Sequence, residues 1–181
     1  MAFASLSLYV CIGASLTETL VSDNIVAFLR EDLASIDVGS YAIAIPGSAA
    51  ESPNYSMERV IRWKLTSEPD NYIQNLKVYG QSDQLDTPNN KVTIYLGVKD
   101  STAGTTPVAT VGTYVSSSSS QHDNYNDAVT DYLTITVVPA DGKLDTVNEY
   151  TDYLYAQMGV LEEATQNQVG TLTLVLAYEE V

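Results

Sequence analysis

Apolar and polar residues alternate with a period of two through much of this chain. That period belongs to a strand with one face on a core and the other in water. Leu6, Leu8, Val10 and Ile12 share one face of the first such run. Ile61, Trp63 and Leu65 point inward in the next, with Arg62 and Lys64 between them pointing out. Leu76 and Val78 share a face, and KVTIYLGV places Val92, Ile94, Leu96 and Val98 inside. Leu133, Ile135 and Val137 follow, and the last run turns Leu172, Leu174, Leu176 and Tyr178 inward.

The segments between these runs are rich in turn formers: Ile45-Pro46-Gly47, Glu68-Pro69-Asp70-Asn71, Thr87-Pro88-Asn89-Asn90 and Asp141-Gly142. Proline fixes φ, glycine and asparagine accept left-handed backbone, and Asp and Asn side chains bond nearby amides. Short alternating strands joined by such turns predict an all-β fold, an antiparallel sandwich of jelly-roll or Ig-like type. One short helix near residues 23–36 is the single exception, from the spacing of Ile25, Phe28, Leu29 and Leu33 behind Ser22 or Asp23 as N-cap. Glu149–Val160 has both helical and alternating features, and its tyrosines and Gly159 favour a strand. Ser116–Asp127, SSSSSQHDNYND, is a polar low-complexity loop. The 181 residues form one domain, 1–181, and segment 1–22 is a candidate arm for assembly.

Charge narrows the partners. The chain carries 23 acidic and 8 basic residues, a net charge of −15. Residues 1–99 hold 11 acids and 7 bases, whereas 100–181 hold 12 acids and Lys143 as the one base. Such a surface is repelled by phosphate backbones and anionic lipid, which argues against nucleic acid and membrane as partners. MAFASLSLYVCI lacks a basic start and is interrupted at alternate positions, so we expect no signal peptide and synthesis in the cytoplasm. No apolar run reaches the roughly 20 residues that span a bilayer.

Candidate chemistry is sparse. The one histidine, His122, lies in the polar loop without a neighbouring nucleophile or orienting acid, so no catalytic residue is assigned and no enzyme is expected. The one cysteine, Cys11, reads as a small core residue. One Cys and one His do not make a zinc site. Asp123, Asn124, Asn126 and Asp127 offer oxygens of the kind calcium takes, but a solvated loop accounts for them, and no metal or cofactor is assigned. The carboxylate pairs Glu31-Asp32, Glu162-Glu163 and Glu179-Glu180 point to opposite faces if extended, which opposes a catalytic dyad. Asn54-Tyr55-Ser56 matches a glycosylation sequon. The 13 tyrosines, among them Tyr9, Tyr79, Tyr95 and Tyr114, suit strand packing, and on an exposed face they would form a contact surface.

From IRWKLTSEPDNYIQNLKVYG to TLTLVLAYEEV the chain resembles β-sandwich structural proteins of tailed-phage virions in its Thr-, Ser-, Val- and Tyr-rich strands and acidic balance. YLYAQMGVLEEATQNQVGTLTLVLAYEEV is similar to the closing strands of Ig-like modules. The resemblance implies a virion structural protein, an outer capsid decoration or accessory subunit, with other capsid proteins or further copies of itself as partners. A binding module for surface glycans or a receptor is the alternative.

Overall fold

The computed structural model describes residues 4–12, 16–21, 26–28, 54–56, 59–81, 92–99, 119–121, 132–160 and 173–181. Within them run ten strands: β1 (Ser5–Ile12), β2 (Thr17–Leu20), β3 (Asn54–Tyr55), β4 (Arg59–Ser67), β5 (Ile73–Gln81), β6 (Val92–Lys99), β7 (Ser119–Gln121), β8 (Leu133–Thr134), β9 (Tyr153–Val160) and β10 (Thr173–Glu180). The larger sheet has the order β2-β1-β4-β9-β6-β7, with β3 also on β9; the smaller has the order β10-β5-β8. Every pairing is antiparallel. The fold is a β-sandwich, and no helix occurs among the described residues. Val26–Phe28 have no regular structure; the rest of the segment expected to be helical lies outside the described residues.

The core fills the space between the sheets. Leu8, Val10, Ile61, Trp63, Leu65, Leu96, Leu154 and Ala156 come from the larger sheet, and Ile73, Leu76 and Val78 from the smaller, all buried. Ile135 and Leu144 join them, while Leu6, Ile12, Val98, Leu133, Val137, Leu174 and Leu176 pack around the margin. The alternation read around Leu8 and Val10, Ile61 to Leu65, and Leu76 and Val78 is that of the sandwich, while Leu172 and the side chains of Val92 and Ile94 lie outside the described residues. Glu149–Val160 resolves as the strand β9, preceded by an extended approach.

Besides a register shift between Ser5 and Leu6 at the start of β1, two bulges adjust the pattern. On β5, Lys77 pairs with Ala177 but Gln74 pairs with Glu179, so β5 has one more residue than β10 over this stretch. The extra residue is accommodated at Asn75, whose φ of 54° is left-handed, a region asparagine tolerates better than most side chains. In consequence Ile73 and Leu76, three apart, are both buried. Asn75 Nδ2 donates to Glu179 Oε2 at 2.7 Å, and Gln74 Nε2 to the same oxygen at 3.3 Å. The bulge also corrects the reading of Tyr178. Tyr178 lies at the register shift and is 37% exposed rather than inside.

The second bulge lies where the sheets meet. Ile61 pairs with Leu154 but Lys64 with Tyr150, so the run into β9 carries one extra residue. The Thr151 hydroxyl fills the gap: it accepts from Trp63 N at 3.0 Å and donates to Asp152 O at 2.9 Å. On the far side of Thr151 lies Val137, while Ile135 N donates to Leu76 O in the smaller sheet. The segment 133–138 therefore starts in one sheet and ends beside the other, the usual way a strand turns a sandwich corner. Asp152 is buried there, accepting from Thr136 Oγ1 through its carboxylate while its amide donates to Thr136 O at 2.8 Å. Beyond the corner, Asp141-Gly142 makes the expected turn: Gly142 N donates to Pro139 O at 3.0 Å, with φ at 76°.

Both bulges can be probed by substitution. Asn75→Ala loses a charge-assisted bond and puts a less tolerant residue in left-handed backbone, so it lowers stability by about 1–2 kcal/mol. Thr151→Val keeps the side-chain shape but leaves the buried Trp63 amide without its acceptor, at a cost of about 1–3 kcal/mol. Urea unfolding of each variant checks this; the midpoint drops and the slope stays the same.

Candidate functional site

The face of the larger sheet opposite the core collects the chemistry that the described residues offer. Register sets its membership. Tyr9 pairs with Arg62, Cys11 with both Val60 and Glu18, and Val60 with Tyr155. Partners across an antiparallel pair share a face, as do residues two apart along one strand. Tyr9, Cys11, Glu18, Val60, Arg62, Lys64, Tyr153 and Tyr155 therefore stand together, and Tyr150, bridged to Lys64, completes the group.

Arg62 is at its centre. Its guanidinium carbon lies 3.8 Å from the centre of the Tyr150 ring and 5.0 Å from that of Tyr153. Nη2 is ion-paired with Glu18 Oε1, and Nη1 donates to the Tyr153 hydroxyl at 3.4 Å. The Tyr150 hydroxyl donates in turn to Glu18 Oε2 at 3.4 Å. Only 14% of the Arg62 side chain and 23% of Glu18 reach solvent. Lys64 Nζ sits 5.7 Å from the Tyr9 ring and 5.2 Å from Tyr150. Arg62 and Lys64 do face away from the core as the alternation indicates, but the tyrosines cover them. Elsewhere Lys77 lies 4.0 Å from the Tyr132 ring and Lys143 4.2 Å from Tyr72. A ring face attracts a cation by its quadrupole, by about 0.5–2 kcal/mol depending on desolvation.

Cys11 is buried, as read from the sequence, in a small cluster with Val60 and Tyr155, against which Leu16 and Tyr153 pack. Burial pushes the thiol up to about 11, and Arg62 nearby partly offsets it. Tyr153 is also raised, first by burial and in part by Cys11, while Arg62 again lowers it. A thiol held protonated is a poor nucleophile and a poor metal ligand.

The other candidates are placed as follows. Glu179 and Glu180 are exposed and serve as structural acceptors: Glu179 holds the β5 bulge, and Glu180 Oε1 accepts from Ala4 N at 3.2 Å. Asn54 and Tyr55 form β3 on β9, and Ser56 is fully buried, its hydroxyl accepting from Met158 N at 3.0 Å. Tyr9 and Tyr79 are half-buried. Of the Ser116–Asp127 loop, Ser119–Gln121 form β7 against β6. His122, Asp123, Asn124, Asn126, Asp127, Glu31-Asp32, Glu162-Glu163, Tyr114 and the side chain of Tyr95 lie outside the described residues. Among the described residues no three of His, Cys, Asp and Glu converge as a metal site would require, and no helix is long and apolar enough to cross a membrane. On this face Glu18, Arg62, Tyr150 and Tyr153 bind one another, while Arg62 Nε is buried without a hydrogen-bond partner.

Comparison with known protein families, characterised proteins and solved structures finds no match for this chain.

The alkaline limb of stability follows from Cys11. Its folded value lies above the ordinary 9.0, so the fold holds the thiol proton more tightly than the unfolded chain does. The contribution is fully present below about pH 9 and is lost as pH rises toward about 11, by roughly 2–3 kcal/mol for two units. Cys11→Ala flattens this limb in urea titrations from about pH 8 to about pH 11, while its small cavity lowers stability by a constant amount throughout.

Proposed function

We propose that this chain is a structural subunit of a virion, an outer capsid decoration or accessory protein that works through protein–protein contacts. One observation carries the reading: among the described residues, strand edges and apolar ends face outward. Among the described residues β2 pairs with β1 alone and β10 with β5 alone. Leu20, at the end of β2, is 54% exposed; Tyr178 and Val181, at the end of β10, are 37% and 48% exposed. An unpaired edge invites another chain to add a strand, and exposed apolar side chains mark where contact gains most. The acidity of the chain suits an outward-facing position away from packaged nucleic acid.

The mechanism is mechanical. The sandwich is held rigid by its core and corner, and its edges bury against neighbouring subunits; interfaces of about 1,200–2,000 Å² suffice for stable attachment. Mass spectrometry of purified particles finds the chain in fixed proportion to the major shell protein. Leu20→Glu combined with Val181→Glu abolishes attachment and changes stability by less than about 0.5 kcal/mol, as expected for surface positions. Absence of the chain from particles, or its selective capture by one carbohydrate on a glycan array, overturns the reading.

A further inference from the structure

Strand β2 is attached to the sandwich in an unusual way. Its four residues contribute no buried side chain. Backbone pairing with β1 holds it from Thr17 to Leu20, and Val21 N donates to Leu8 O at 3.0 Å. Its side-chain anchorage is Glu18, which reaches diagonally across β1 to Arg62 on β4 and accepts from the Tyr150 hydroxyl. Cys11, the β1 residue paired with Glu18 on one side and Val60 on the other, lies beside this link, and Leu16 at the entry to β2 packs on its cluster. The entry to β2 is strained: Leu16 has a φ of 50°, costly for a branched side chain without glycine's freedom. Beyond β2 the chain is fastened again, since Val21, Val26 and Phe28 pack against the core. β1 itself is fixed, with Leu8 and Val10 buried and β4 paired from Ser5 to Cys11.

We propose that β2 is a strap, closed by the Glu18–Arg62 latch, that opens without unfolding of the sandwich and uncovers Cys11 and the outer edge of β1. The strap and its neighbours differ in stability for plain reasons. Opening the strap removes a few exposed edge hydrogen bonds and one ion pair, and it relieves the strain at Leu16. Opening of β1 or β4 would expose the core. Local openings of this kind draw on the least buried elements of a fold. The ion pair is the one part of the closure that is sensitive to salt, because nearly a quarter of Glu18 is in solvent. An opened β1 edge is what a strand from a neighbouring subunit would add to, and in that use the strap rests on the assembly reading. The opening itself is a property of the isolated chain, so its failure and the failure of that reading are separable.

Cys11 is the one cysteine of the chain, which makes it a single reporter. In the closed form the thiol is covered and protonated, so its reaction with a thiol-specific disulfide reagent at about pH 8 measures opening. Wild-type protein labels at a rate that is almost independent of urea well below the unfolding midpoint, because the strap exposes little surface. Labelling quickens as salt rises from about 0.05 to about 0.5 M. Glu18→Gln labels roughly tenfold faster than wild type, in keeping with the loss of one charge-assisted contact. The proposal is overturned if wild-type labelling follows the full urea dependence of global unfolding, or if Glu18→Gln accelerates labelling no more than its unfolding equilibrium accounts for. The first arm needs no variant, so it decides even if Glu18→Gln folds poorly.

Discussion

Strand β9 is covered on both faces, and the larger sheet is arranged around that requirement. Its core side carries Leu154 and Ala156 against the smaller sheet; its outer side carries Tyr155 and Gln157, buried almost as deeply. A strand covered on both faces needs neighbours on both edges to satisfy its backbone, and it has them: β6 along one edge, β4 and then β3 along the other. Outer-face cover is supplied locally. Cys11, Val60 and Leu16 close over Tyr155, and Gln157 Nε2 donates to Ser56 O at 2.9 Å. The approach to β9 bulges at Thr151 and Asp152, which hold the segment 133–138 where it turns the corner between the sheets.

Placing tyrosines over cations resolves a difficulty that a net charge of −15 creates. Few bases are present to balance the acids, and each is better used where its field acts in low dielectric than on a wetted surface. Arg62 sits between two rings with one carboxylate, a setting where its planar, weakly hydrated guanidinium is favoured over an ammonium. Acids without such partners cap turns instead: Glu149 Oε2 accepts from the amides of Asp145 and Thr146 at 2.8 and 3.0 Å.

β1, β4 and β5 were legible because a dry face alternates with a wetter one, whereas β2, with no buried side chain, and β7, in a polar run, were not. Ile61, Trp63 and Leu65 keep one parity along β4, and all three are buried between the sheets, as period two alone anticipates. What alternation cannot encode is a residue added to one side of a ladder. Ile73 falls out of step with Leu76 because Asn75 bulges, and Tyr178 falls out of the core at the same register shift. The outer-face cluster was half legible: Arg62 and Lys64 share a parity in β4, as Tyr153 and Tyr155 do in β9. Their meeting depends on register between strands about 90 residues apart, which no local pattern carries. Asp152 shows the same limit, since a carboxylate next to Thr151 reads as solvated until Thr136 is brought to it.

These features bear on what the molecule can do. Here Glu18, Arg62, Tyr150 and Tyr153 engage each other, Thr136, Thr151 and Asp152 hold the corner, and Glu179 and Glu180 hold β5 and the start of β1. Contacts of this kind raise the cost of deforming the sandwich. The tyrosine–cation contacts tie β2, β4 and the approach to β9 together and so brace the outer face of the larger sheet.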